Sequence, residues 1–195
     1  MKKIILCSVV GVLLSNPVFS DDFSGSRLGI GYSSSQFVSN DTSEDPSFSL
    51  GMGGGVKLEY GYDFNNIVGI DISYEKNDFS TSTGDPDEDD SFDGDTLKLG
   101  ADLGYAFSLK EIDGYWKPYI KLGYYSFDQK FTLDGDSGSK NKNALYYGLG
   151  FRFEYNHVYA DISFDTLNVN LYTDADGEKS NDQITQTAFT IGYKF

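Results

Sequence analysis

Between Thr96 and Phe107 the chain alternates without a slip. Leu97, Leu99, Ala101, Leu103, Tyr105 and Phe107 take one parity, and Lys98, Gly100, Asp102, Gly104 and Ala106 take the other. A period of two puts these sets on opposite faces of a β-strand. Eight stretches behave this way, near 27–37, 48–62, 67–75, 96–107, 116–127, 144–155, 157–165 and 183–195. Turn-rich segments separate them. The pattern predicts an all-β domain of eight antiparallel strands.

Alternation alone leaves open which face meets water, because a soluble barrel would alternate as well. Charge and glycine decide it. Across the eight windows fourteen charged residues fall on the polar parity and none on the apolar one. Thirteen glycines share the polar parity, and Gly54 alone lies on the other. Glycine on a solvated strand face weakens a sheet. Inside a narrow closed barrel it makes room for a large neighbour.

The apolar face is also sorted by height. Phe48 leads the second segment, Leu50, Met52, Val56 and Leu58 follow, and Tyr60 and Tyr62 close it. Tyr105, Phe107, Trp116, Phe153 and Tyr155 likewise sit beside short connections. Aromatic girdles around an aliphatic band mark a barrel that spans a bilayer. Connections at 63–66, 108–115 and Asn156 are short or moderate, whereas 38–47, 76–95, 128–143 and 166–182 are long and polar. The expected fold is therefore an eight-stranded antiparallel up-and-down transmembrane β-barrel. Its short turns and both termini are expected on the periplasmic side and its long loops outside.

The first twenty residues read differently. Lys2 and Lys3 precede an apolar run from Ile4 to Leu14, and Val18-Phe19-Ser20 forms a small-residue cleavage site. Residues 1–20 are expected to be a secretory signal peptide, leaving a barrel domain over 21–195. Cys7, the one cysteine, would leave with it, so no disulfide is expected. The remainder carries 13 basic and 30 acidic residues, a net charge of −17. That balance argues against nucleic acid and other polyanions.

Two stretches carry a resemblance. "KPYIKLGYYSF" (117–127) resembles a strand found across the outer-membrane β-barrel domain family. The ending "TAFTIGYKF", with Phe189, Ile191, Tyr193 and Phe195 on one parity, is similar to the C-terminal signature of such barrels. The chain thus resembles the small eight-stranded outer-membrane barrels of the OmpA/OmpX type in Gram-negative bacteria. The resemblance implies an outer-membrane location, contact with outer-membrane lipid and lipopolysaccharide, and recognition of those four residues by barrel-assembly machinery. It leaves the activity open, since the family includes adhesins and structural proteins.

The inward charges are the first candidate site. Arg27, Lys57, Lys98, Lys117, Lys121, Arg152 and Lys194 face Glu59, Asp71, Glu75, Asp102, Glu154, Asp161 and Asp165. Hairpin geometry sets Asp102 level with Lys121 and Arg152 opposite Asp161. Ions in a constricted lumen need partners, and inward Tyr119, Tyr125, Phe127, Tyr146 and Tyr159 supply bulk. A packed polar interior is expected; a narrow, low-conductance ion channel is the alternative.

The long connections (38–47, 77–94, 128–143 and 168–182) hold 17 acidic and four basic residues. In the densest part Asp85, Asp87, Glu88, Asp89, Asp90 and Asp93 form a candidate weak site for Ca²⁺ or Mg²⁺. Its spacing is not that of an EF-hand. No other cofactor is expected. A lipid-modifying enzyme is the least favoured class, because the single histidine, His157, lies in the shortest turn with no nucleophile at a catalytic spacing. Gly51, Gly53, Gly54 and Gly55 lie within a strand and open no phosphate-binding helix. The chemistry favours a monomeric barrel with a structural or surface-interaction role, whose external partner the sequence leaves unnamed.

Overall fold

The computed structural model describes residues 23–38, 50–81, 91–133, 136–168 and 183–195. Its strands are β1 (Gly25–Val38), β2 (Leu50–Asp63), β3 (Val68–Thr81), β4 (Ser91–Gly104), β5 (Phe107–Leu109), β6 (Gly114–Leu133), β7 (Asp136–Tyr155), β8 (Val158–Asn168) and β9 (Gln183–Lys194). Each pairs antiparallel with its neighbour in the order β4-β3-β2-β1-β9-β8-β7-β6-β5, and β4 also pairs with β6. That last ladder closes the sheet into a barrel.

β4 and β5 form one stave, so the closed wall has eight. The pairs Gly104↔Tyr119 and Phe107↔Trp116 share a single register across the gap. In the gap Tyr105 faces Pro118, which has no N–H to donate. The amides of Gly104 and Ala106 point the other way, to the carbonyls of Ile67 (2.9 Å) and Asn66 (2.8 Å). The interruption is local chemistry and leaves the barrel closed.

Side-chain placement is inverted relative to a soluble protein. Ile30 and Leu99 on the outside are 62% and 59% exposed, while Arg27 and Lys98 on the inside are 0% and 1% exposed. The outer surface also carries Tyr105, Trp116, Phe153, Tyr155, Tyr193 and Phe195 near the short turns. Tyr62 departs from this girdle: it is buried and meets the Phe64 ring edge-on at 5.1 Å. Gly54, the one glycine on the lipid-facing parity, lies beneath the Tyr32 ring, whose hydroxyl occupies the space a Cβ would need. The aromatic covers backbone that would otherwise be bare.

The inward glycines have a shared reason. A Cβ at Gly29 or Gly192 would strike Tyr159, one at Gly150 would strike Tyr119, and one at Gly100 would strike Tyr146. Tyr119, Tyr146 and Tyr159 are each seated on glycine, and this is how eight strands hold several rings across one lumen.

The short turns are built by Asn side chains and left-handed backbone. The Asn65 carboxamide oxygen accepts from the amides of Ile67 (2.8 Å) and Val68 (2.9 Å). Asn156 and His157 both have positive φ, 46° and 73°, as a two-residue hairpin turn of the primed type requires.

The expected boundaries need correction at the opposite end. Of residues 128–143, expected as a long loop, 128–133 continue β6 and 136–143 continue β7, so each strand runs for 20 residues. Most of 76–95 is strand as well, because β3 reaches Thr81 and β4 begins at Ser91. The apolar-outside pattern ends there because the outward parity turns polar, while apolar residues such as Phe127 and Phe131 fall on the inward parity and the backbone ladder continues. Ser126↔Asn143, Asp128↔Asn141 and Lys130↔Ser139 are paired with no apolar member.

Candidate functional site

Two regions hold the chemistry: the charged lumen and the sheet that rises above it. All the inward charges expected from parity point into the lumen, where each is buried except Glu154, which is partly exposed at the rim. Near the short-turn end they converge on a residue that parity windows missed. Asp63 Oδ1 lies 2.6 Å from Arg27, 3.3 Å from Arg152 and 3.6 Å from Lys117, and its Oδ2 lies 3.3 Å from Lys194. Asp63 ends β2 and continues the inward parity of Lys57, Glu59 and Gly61 by one more step. That step was the available signal, hidden by placing residue 63 in the turn.

Asp102 is the second hub. Its carboxylate meets Lys117 at 2.6 Å, Arg27 at 3.2 Å and Arg152 at 3.5 Å. Asp102 and Lys121 are level as Cα partners, yet their side chains part: Lys121 pairs with Asp71 at 3.0 Å. Arg152 and Asp161 are both level and paired, at 3.1 Å. Tyr119 donates to the same Asp161 carboxylate at 2.8 Å. Lys194 also meets Glu154 at 3.0 Å. Above this cluster Lys57 pairs with Glu59 (2.9 Å), and Lys98 contacts both Glu75 (2.9 Å) and Asp165 (2.7 Å).

Phe23 closes the short-turn end. It continues the inward parity of β1 and is buried, with Lys194 Nζ 3.6 Å from its ring centre and Tyr115 edge-on at 5.3 Å. At the other end the lumen is neutral: Ser33 donates to Asn77 (2.9 Å), and Gln186 donates to Ser35 (3.0 Å) and Thr96 (3.2 Å). Tyr125 and Phe127 fill the space beside them.

The second region is the sheet of β3, β4, β6 and β7. β7 pairs with β8 only from Tyr146↔Leu167 onward, so Asp136–Leu145 is bound to β6 alone among the described residues. On the outer face one row reads Lys76, Asp95, Asp128, Asn141 across the four strands, and the next Asp78, Asp93, Lys130, Ser139. Lys76 and Lys130 are well exposed, at 54% and 67%, with acidic partners no closer than 3.7 and 3.9 Å. Tyr74 donates to Asp95 at 2.7 Å. A polar outer face rules out hydrocarbon contact at this height.

Of the candidate cation-binding residues, Asp93 therefore stands in β4 opposite Asp78, not in a loop. Asp85, Asp87, Glu88, Asp89 and Asp90 lie outside the described residues. Among the described residues no three His, Cys, Asp or Glu side chains are grouped to hold a metal ion. His157 is exposed and stacks on Tyr193, with ring centres 5.7 Å apart. Phe189, Ile191, Tyr193 and Phe195 all face outward on β9 and the residue after it. There β9 pairs with β1 from Arg27↔Lys194 to Val38↔Gln183.

A closed antiparallel wall with an apolar exterior and a charged interior defines an outer-membrane β-barrel. The chain belongs to the outer membrane protein beta-barrel domain family, whose model matches residues 4–195. Its place is the outer membrane of Gram-negative bacteria. Among solved structures it resembles Neisserial surface protein A (TM-score 0.60, 15% identity, covering 88% of this chain and 98% of that one). It also resembles Ail, the attachment invasion locus protein of Yersinia pestis, solved in complex with the heparin analogue sucrose octasulfate (TM-score 0.55, 24% identity, 88% and 99% covered). A curated relative, the uncharacterized protein YaiT of Salmonella typhimurium, is 29% identical over 190 residues. The chain spans 18% of that relative's length.

Proposed function

We propose that this barrel is a non-enzymatic surface-interaction module, its short turns and both termini periplasmic and its extended sheet and acidic connections outside the cell. The observation that carries this reading is the rise of β6 and β7 beyond the last β7–β8 pair. A membrane span needs about 9–11 residues per tilted strand, so 20-residue strands present a rigid polar sheet clear of the bilayer. Among the described residues one edge of that sheet, Asp136–Leu145, has its ladder groups unmatched by β8. Such an edge can add a strand from an extended peptide.

The sequence charge of the long connections, 17 acidic against four basic residues, favours cationic partners over polyanions. It also allows Ca²⁺ or Mg²⁺ to bridge the surface to lipopolysaccharide phosphates. The buried ion pairs and inward tyrosines of the lumen favour this reading over an ion channel. The experiment is to replace residues 128–143 with a two-residue turn and compare binding to host cells or matrix. The shortened barrel should still fold and should lose binding; undiminished binding by a folded variant overturns the reading.

The outward quartet Phe189, Ile191, Tyr193 and Phe195 serves as the assembly signal in the same proposal. Deleting Phe195 should slow insertion into the outer membrane several-fold, measured by pulse-chase heat-modifiability. An unchanged insertion rate counts against that role.

A further inference from the structure

The short turns differ in charge. Residues 64–67 and 156–157 hold no acidic or basic side chain beyond His157, whereas the β5–β6 connection, residues 110–113, holds Lys110, Glu111 and Asp113. All three are exposed. Lumen charges at the same end, such as Lys117 with Asp102 and Lys194 with Glu154, are ion-paired. Among the described residues Lys110, Glu111 and Asp113 pair neither with one another nor with a neighbour.

This turn forms a groove on the lipid-facing wall. The Ile112 amide donates to the Leu109 carbonyl at 3.0 Å, and Asp113 takes a left-handed backbone, φ 48°. The chain then enters β6 at Gly114, a position on the outward parity of Trp116 with no side chain to offer. A Cβ there would lie 2.8 Å from the Glu154 carbonyl oxygen and 3.6 Å from the Ile112 side chain. Gly114 is the Cα partner of Tyr155, and Trp116 that of Phe153. Bare backbone therefore separates Ile112 from the outward rings of β7. The groove is lined by Lys110, Glu111, Ile112, Asp113, Phe153 and Tyr155. Its apolar lining continues into the lipid-facing belt through Trp116 and Phe107, whose ring centres are 5.8 Å apart. Its rim carries both signs of charge.

We infer that this groove holds the headgroup of a phospholipid that bears a primary ammonium, of the phosphatidylethanolamine class. Continuity with the belt makes the occupant a membrane lipid: chains lying on Phe107, Trp116 and Phe153 bring their headgroup to the charged rim. Lys110 matches the phosphodiester, and Glu111 and Asp113 accept from the ammonium. An anionic glycerol headgroup would set its charge against two carboxylates. A choline headgroup has no N–H to donate. The inference rests on the periplasmic placement of the short turns proposed above, which sets the groove in a phospholipid leaflet.

Trp116 is the single tryptophan of the chain, so its fluorescence reports on this place alone. The test reconstitutes the barrel in phosphatidylcholine bilayers containing a fixed fraction of lipid with brominated chains and an ethanolamine, choline or glycerol headgroup. The ethanolamine lipid should quench Trp116 as if bound about two- to fivefold more strongly than the choline lipid, the range an exposed ion pair supplies. The glycerol lipid should quench least. Glu111→Gln combined with Asp113→Asn should bring the ethanolamine and choline lipids level and make the glycerol lipid the strongest quencher, since Lys110 then stands alone. Asn tolerates the left-handed backbone at 113, and heat-modifiable migration checks that the variant folds. Equal quenching by the three lipids in the wild type overturns the inference. So does an ethanolamine preference that survives the double substitution. Both leaflets of these bilayers hold the same lipids, so a lost preference leaves the proposed orientation and the cell-binding role untouched.

Discussion

The lipid-embedded barrel and the sheet above it share four strands and obey different physics. At the level of Lys121 the strands carry lipid on one side and a buried, charged interior on the other. Every inward group there is constrained by neighbours from across the lumen. A few residues higher, at Lys130 and Asn141, the same strands have solvent at their outer face, and Lys130 lies 3.9 Å from Asp95 with 67% of its side chain exposed. A salt bridge in the first region is structural; one in the second is close to neutral. Position decides the worth of the contact.

The largest effect should come from the hub. Asp63→Ala removes the one carboxylate that Arg27, Arg152, Lys117 and Lys194 all share, and breaking a buried ion cluster costs about 3–5 kcal/mol. Urea unfolding in detergent micelles should show it; a loss under about 1 kcal/mol would mean that water reaches the cluster. Next is Gly150→Leu, which drives a side chain into the seated Tyr119 ring. Overpacking of this kind costs about 1–3 kcal/mol, read from the same unfolding curves. Wild-type stability would show that the lumen has spare volume. The smallest effect belongs to the upper sheet. Lys130→Ala should change stability by less than about 0.5 kcal/mol, and a larger loss would extend the barrel's tight coupling into the sheet.

The two regions also differ in how far they could be read from the chain. Where one face meets lipid, Leu97, Leu99 and Leu103 against Lys98, Gly100 and Asp102 declare the strand and its orientation. Where the outward parity is polar, as at Asp128, Lys130 and Asn141, the apolar-outside alternation is lost although the ladder is not. A strand without an apolar outward face carries no such mark in the sequence. The same loss of contrast hid Asp63, which keeps the inward parity but sits where a turn was expected to begin.

The sequence alone determined the all-β class, the eight staves, the inside-out parity and the glycine positions. Each of these follows from which side of a strand a residue takes, and a period of two states that directly. Tertiary structure alone decided the partners. Lys121 is level with Asp102 and pairs with Asp71; Lys98 of β4 reaches Asp165 of β8; Arg152 gathers Asp63, Asp102 and Asp161. Those contacts depend on the tilt and stagger at which eight strands close. Tilt and stagger bring together, across a lumen one side chain wide, residues that no local pattern connects.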